Sequence, residues 1–259
     1  PAMASGPGAA AHVTMLQRSP TYIAELPARD RVADALRRVL PPRAAYAAAR
    51  WKNVGRSMFF YGLSRRRPAL MKRLLRAGAR RALGRDYPVD THFAPSYNPW
   101  DERLCVVPDG DLFAAIRGGR ASVVTDHIER FDAGGLVLRS GARLDADVVV
   151  TATGLELAIL HGLTLVVDGT PVDLARTMAY KGMMYSDVPN LASAFGYTNA
   201  SWTLKCDLVA EHVCRLLNLM RERGYVQVTP RREPGVREMP VLDFTSGYVR
   251  RALPGLPVQ

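Results

Sequence analysis

The stretch Leu144–Leu157, LDADVVVTATGLEL, decides how the rest of the chain is read. A polar turn leads into three consecutive valines, and the apolar run stops at Thr151-Ala152-Thr153-Gly154. Three β-branched residues between turn formers read as a strand buried on both faces, as in the middle of a parallel sheet. Small residues at its carboxyl end leave room for a ligand near the backbone, and Gly154 allows a sharp exit. In open α/β sheets ligands sit outside the carboxyl ends of the strands, so a ligand is expected here. An ordinary core strand followed by a Gly turn is the competing reading.

Working outward, a second such end lies near the start. His12–Arg18, HVTMLQR, reads as a strand, and Pro20 stops it. The small residues before it, SGPGAAA, read as the exit of a helix. Helix, turn, strand and then Arg18-Ser19 make the second half of a βαβ unit. An Arg at that strand end can accommodate a ribose 2′-phosphate, the group that separates NADP from NAD. A plain surface turn stays open as the alternative.

Between these strand ends the composition changes. Of 35 basic and 24 acidic side chains, residues 29–85 hold 17 and 2, leaving 18 and 22 for the remainder. The basic character therefore belongs to one segment. Helical periodicity, broken at Pro41-Pro42 and Pro68, predicts about three helices there. A solvated face is the usual meaning of such arginines; a membrane-surface helix or a nucleic-acid patch is the sharper one.

Thr91–Pro108, THFAPSYNPWDERLCVVP, reads as a structured loop. A short helix over Asp109–Ile116 follows, with Asp109 or Asp111 expected at its N-cap. Ala121–Asp126 reads as a strand, Ile128–Leu144 as a hairpin, and Leu163–Asp173 as a second hairpin about Asp168-Gly169. Trp202–Arg221 is a strong amphipathic helix, and the polar residues before it suit an electron-rich oxygen at a helix N-terminus. After Gly224 an irregular tail is expected.

A composition 48% hydrophobic and 23% charged is that of a globular chain, and no run reaches the ~18 apolar residues of a spanning helix. Three cysteines without CxxC spacing suit a reducing cytoplasm and speak against a disulfide reductase, and five scattered histidines suggest no metal site.

Taken together, HVTMLQRSPTYI, WKNV, YNPWDERLCVVPDGDLF, ADVVVTATGL, YKGMM and GYTNASWTLKCDLVAEHVCRLL resemble the Baeyer–Villiger type flavin monooxygenases, most of all the ethionamide-activating ones. The resemblance covers nearly the whole chain. It implies an α/β fold of two interleaved dinucleotide-binding, Rossmann-like domains, here incomplete, with a helical insertion. Residues 1–28 and 86–154 would be the NADP-binding domain, truncated at its start. Residues 29–85 would be the basic insertion, and 155–259 the C-terminal part of the FAD-binding domain. The chain lacks the GxGxxG and FxGxxxHxxxW(P/D) signatures of such enzymes and begins without an initiator Met. The expectation is a C-terminal fragment, roughly the last half to three-fifths of the enzyme, not expected to act alone.

The implied activity is FAD- and NADPH-dependent insertion of one oxygen atom of O2 into ketones, or oxidation of sulfur or nitrogen in thioamide-like compounds, through a C4a-peroxyflavin. Residue by residue, Arg103 matches the catalytic arginine that holds the peroxide anion. Many relatives carry Lys-Arg there; this chain has Glu102-Arg103. Arg18 and Ser19 match the 2′-phosphate site, Thr151, Ala152, Thr153 and Gly154 the linking motif. Asn199, Ser201, Trp202 and Thr203 match the loop and helix start beside the flavin ring. Expected partners are the small substrate, O2, the other half of the enzyme or a second copy, and a membrane surface touched peripherally from the cytoplasm; nucleic acid is not expected. A basic, non-catalytic membrane or nucleic-acid binder acting through residues 29–85 is the alternative.

Overall fold

The computed structural model describes all residues except 103, 158, 161 and 198–201. The chain divides into two compact units, Pro1–Ala152 and Thr153–Gln259.

In the first unit, β1 (Val13–Gln17) is followed by β2 (Ile23–Leu26) and then by three helices, α1 (Arg31–Val39), α2 (Pro42–Arg66) and α3 (Pro68–Leu83). The prolines set the breaks: Pro42 and Pro68 open their helices, where a missing N–H costs nothing. Asp30 caps α1, its carboxylate accepting from the Ala33 amide at 3.1 Å. The same carboxylate takes the Lys52 ammonium and the Asn53 amide at 3.1 Å, which ties α2 to the start of α1. The Lys52 hydrogen bond, then the helix-cap amide, hold the Asp30 carboxyl well below the usual carboxylate range.

The short α4 (Val89–His92), β3 (Cys105–Pro108), α5 (Asp111–Arg117) and β4 (Ala121–Thr125) complete the core. β1 pairs with β4 and β2 with β3, both parallel, from Val13↔Ala121 to Gln17↔Thr125 and from Ile23↔Cys105 to Leu26↔Pro108. Ile23, Leu83, Val89, Phe93, Phe113 and Val123 form the buried cluster beneath them. A meander of β5 (Ile128–Asp132), β6 (Gly135–Leu138) and β7 (Arg143–Asp145) closes the unit.

In the second unit, β8 (Val166–Val167) and β9 (Thr170–Pro171) form the expected hairpin, with Asp168 and Gly169 at φ +50° and +78°, the backbone of a two-residue hairpin turn. β10 (Ala179–Tyr180) pairs antiparallel with β11 (Met184–Tyr185). α6 (Trp202–Arg223) buries Val209 against Met183 and Met184. α7 (Gly247–Ala252) and its surroundings bury Leu242, Phe244, Val249 and Leu256. No helix among the described residues is long and apolar enough to cross a membrane.

Several expectations are corrected. Val148, Val149 and Val150 form no strand; they are 77%, 44% and 64% exposed. β-branched residues favour extended backbone, but a strand exists only where a neighbour takes up its hydrogen bonds, and no described strand lies beside these. Cys105–Pro108 is a strand and not loop, because β2 offers it a parallel edge. Gly110 in the left-handed region, and neither Asp109 nor Asp111, occupies the α5 N-cap; the Asp109 carboxylate instead accepts from the Ala28 amide at 3.0 Å. The hairpin after Asp126 gains a third strand. The tail after Gly224 carries a helix and a buried cluster, and Ser5–Ala11 follows a 3-10 turn, not an α-helix.

Candidate functional site

The parallel pairing of β1 with β4 brings two strand ends together. At that end the Gln17 side-chain amide donates to the Thr125 hydroxyl and to the His92 carbonyl, both at 2.8 Å. Thr125 Oγ1 also lies 2.8 Å from His92 Nδ1. Every group is satisfied when Thr125 accepts from Gln17 and donates to a neutral imidazole. Burial pushes the His92 pKa below the ordinary histidine value, in keeping with that neutral form. These three residues latch the strand ends to α4, a set of contacts between distant parts of the chain.

Arg18 and Ser19 come next on the chain. Both are exposed, and neither makes a side-chain hydrogen bond or ion pair among the described residues. A fixed floor thus carries an uncommitted guanidinium and hydroxyl at the carboxyl end of a parallel strand.

The loop between α4 and β3 packs on both β2 and α2. The Tyr22 hydroxyl donates to the Tyr97 carbonyl at 2.9 Å, and the two rings meet edge to face with centroids 5.4 Å apart. The Thr21 and Tyr97 hydroxyls are 3.1 Å apart. Burial pushes the Tyr22 phenol up to about 12. Trp100 sits at φ +74°, a conformation costly for an aromatic residue, and its ring meets Tyr61 of α2 at 5.9 Å. Arg65 pairs with Asp101 at 2.7 Å, and Lys72 donates to the Ser96 carbonyl at 3.3 Å. The helical insertion therefore fixes the loop that leads to residue 103. Arg103 itself lies outside the described residues.

Thr151 and Ala152 end the first unit, and Thr153 and Gly154 begin the second. All four are exposed on irregular backbone, and Gly154 has φ +126°. In the second unit Trp202 and Thr203 share the first turn of α6. The Trp202 ring meets Phe195 at 5.1 Å and passes so close to Gly196 that a Cβ there would lie 2.2 Å from Trp202 Cγ. Only glycine fits at 196. Asn199 and Ser201 lie outside the described residues.

The residues suit one dinucleotide end and not the other. A ribose 2′-phosphate needs an exposed cation and a donor hydroxyl, and Arg18 with Ser19 supply both. The pyrophosphate of FAD needs a glycine-rich strand-to-helix turn, and the sequence contains no such motif.

Fold comparison defines the class first. The chain superimposes on OTEMO, solved in complex with FAD and NADP, with a TM-score of 0.59 and 15% identity, over 86% of this chain and 50% of that one. A second crystal form gives a TM-score of 0.55 at 16% identity. The fold is thus α/β, of the kind that OTEMO builds.

Sequence comparison then gives the relatives. The FAD-containing monooxygenase EthA of Mycobacterium tuberculosis H37Rv is 54% identical over 252 residues, 96% of this chain and 51% of that protein. EthA of Mycolicibacterium smegmatis is 51% identical over the same share, and AlmA of Acinetobacter baylyi 49% identical over 261 residues, all of this chain and 52% of that protein. The chain is thus similar to the FAD-containing monooxygenase EthA and to AlmA, described as a probable FAD-binding monooxygenase, and spans about half the length of the curated relatives it matches. No family model matches it.

Proposed function

We propose that the chain is the NADP-binding and carboxyl-terminal portion of an NADPH-dependent flavin monooxygenase. Its substrate is a ketone, into which one oxygen atom of O2 is inserted, or a thioamide-like compound oxidised at sulfur or nitrogen. The observation that carries this reading is 54% identity across 96% of the chain to FAD-containing monooxygenases. The exposed Arg18–Ser19 pair at the end of β1 supports it from the structural side.

On this reading residues 1–28 and 86–154 bind NADP, 29–85 are an insertion that braces the active-site loop, and 155–259 complete the FAD-binding part. Held beside Asn199, Ser201, Trp202 and Thr203, flavin would supply the redox chemistry, hydride acceptance from NADPH and activation of O2. The chain's own residues bind, orient and stabilise charge. Arg18 and Ser19 grip the 2′-phosphate. Arg103 holds negative charge on the reacting oxygen, a task suited to a guanidinium that stays charged at any working pH. Asn199, Ser201, Trp202 and Thr203 line the flavin ring, and Thr151–Gly154 is a small-residue crossing between the two cofactor domains.

A polypeptide supplying the rest of the relatives' length is the expected partner, and the exposed Val148–Val150 run is the segment it would cover. Co-expression of the chain with the amino-terminal half of a relative tests this. The expected result is a complex that purifies with a flavin absorbance band and oxidises NADPH when a ketone or thioamide is present. A co-purified complex without flavin or NADPH oxidation contradicts the reading.

One observation favours a second role for residues 29–85. Trp51, Met58 and Phe59 are exposed on α2, with Arg65 and Arg66 at its end. Aromatic and aliphatic groups beside arginines suit the surface of an anionic bilayer better than nucleic acid. Sedimentation with phosphatidylserine vesicles, reduced in Trp51→Ala/Phe59→Ala, is the expected outcome. Salt-sensitive DNA binding that the double substitution leaves intact contradicts it.

A further inference from the structure

Tyr97 and Cys105 flank the segment that carries residue 103, and both reach back to one dipeptide, Thr21-Tyr22. The Tyr22 hydroxyl donates to the Tyr97 carbonyl at 2.9 Å, and the Cys105 amide donates to the Tyr22 carbonyl at 2.9 Å. The Thr21 hydroxyl lies 3.1 Å from the Tyr97 hydroxyl and 4.0 Å from Cys105 Sγ. One hydroxyl is therefore within reach of both ends of the segment. Between those ends Trp100 holds φ +74°, and a costly conformation of this kind lasts only while its surroundings over-determine it. Such a segment answers to a small change at its anchors.

The same dipeptide follows Arg18-Ser19 with only Pro20 between them. The pyrrolidine ring fixes φ at Pro20, so a change in the backbone at 18–19 reaches Thr21 with little slack. Arg18 and Ser19 are exposed, whereas Tyr22 is buried. A phosphate that draws in the first pair thus pulls against a fixed Tyr22, and the half-buried Thr21 is the residue left to move.

We propose that a 2′-phosphate held by Arg18 and Ser19 is sensed at the Tyr97–Cys105 segment through the Thr21 hydroxyl, with Tyr97 as the positioning residue of that segment. This coupling rests on the NADP-binding reading above, and it reports occupancy of the nucleotide site to the loop that bears Arg103.

Cys105 is exposed at one end of the segment, so its rate of alkylation by iodoacetamide reads the segment directly. Cys214, exposed in the second unit, is the internal control. In the 259-residue chain, saturating 2′,5′-ADP is expected to slow alkylation of Cys105 about 5-fold or more, the lower end of ordinary coupling between sites, and to leave Cys214 unchanged. Tyr97→Phe and Thr21→Val each remove one hydroxyl with little change of shape, and each abolishes the slowing; Thr21→Ser keeps it. A merely structural role would change the Cys105 rate equally with and without nucleotide. Slowing that persists in both hydroxyl-deleting variants means that the nucleotide shields Cys105 itself, and it overturns the proposal. Bound 2′,5′-ADP that leaves the Cys105 rate unaltered overturns the coupling and spares the NADP-binding reading. Failure of 2′,5′-ADP to bind at all, measured by calorimetry on the same samples, overturns that reading and the coupling with it.

Discussion

At the end of β1 one hydroxyl serves two neighbours. Thr125 accepts from Gln17 and faces His92 Nδ1, both at 2.8 Å. Thr125→Val leaves the imidazole nitrogen without its partner and is expected to cost about 1–3 kcal/mol in denaturant unfolding. His92 also sets a pH dependence. Its folded pKa is lowered, so the unfolded chain binds the proton first as pH falls. Stability is full above about pH 6.5 and is lost as pH falls through the folded value. His92→Gln is expected to flatten this fall, which unfolding midpoints between pH 7.5 and 5 would reveal. Tyr22 works in the opposite direction. Its phenol is raised to about 12, so its contribution is intact below the ordinary tyrosine value and is lost as pH climbs toward 12. Arg18 and Ser19 are legible in the sequence because strand, proline and basic residue are contiguous. The Gln17–Thr125–His92 latch is not, since Gln17 and Thr125 lie 108 residues apart and only the folded sheet joins them.

Helices and strands differ in how much of their cause is local. α1, α2 and α3 are readable because prolines and i, i+4 apolar spacing act within one turn. β2 and β3 escape notice because a four-residue strand owes its existence to a partner about 80 residues away, as in Ile23↔Cys105. Val148–Val150 errs the other way: its residues favour a strand, but no partner is there to make one. The core beneath the strands buries several large apolar side chains of the first unit. Phe93 is 2% exposed and meets Phe113 edge to face at 5.9 Å. Phe93→Ala is expected to cost about 3–5 kcal/mol, measured by chemical denaturation. Asp101→Ala is a contrasting case. Asp101 is partly buried, pairs with Arg65 and also accepts from the Asn98 amide at 3.2 Å, so the substitution is expected to cost about 1–2 kcal/mol in unfolding. The loop leading to Arg103 loses a tether, however, and NADPH-driven oxidation by the assembled enzyme is expected to fall far more than stability does.

For the molecule as a whole, two units with small sheets leave apolar surface open. Val150→Asp changes a largely exposed side chain and is expected to shift the stability of the isolated chain by no more than about 0.5 kcal/mol. The same substitution is expected to abolish co-purification with the amino-terminal half of a relative, because a buried, unpaired carboxylate is costly at an interface. The central claim, that the first unit grips NADP by its 2′-phosphate, needs no partner chain to be tested. Titration of the 259-residue chain with 2′,5′-ADP and with 5′-ADP measures it directly. The account predicts about 10- to 100-fold tighter binding of the bisphosphate, lost in Arg18→Ala. Equal binding of the two nucleotides, or a preference that survives Arg18→Ala, contradicts it.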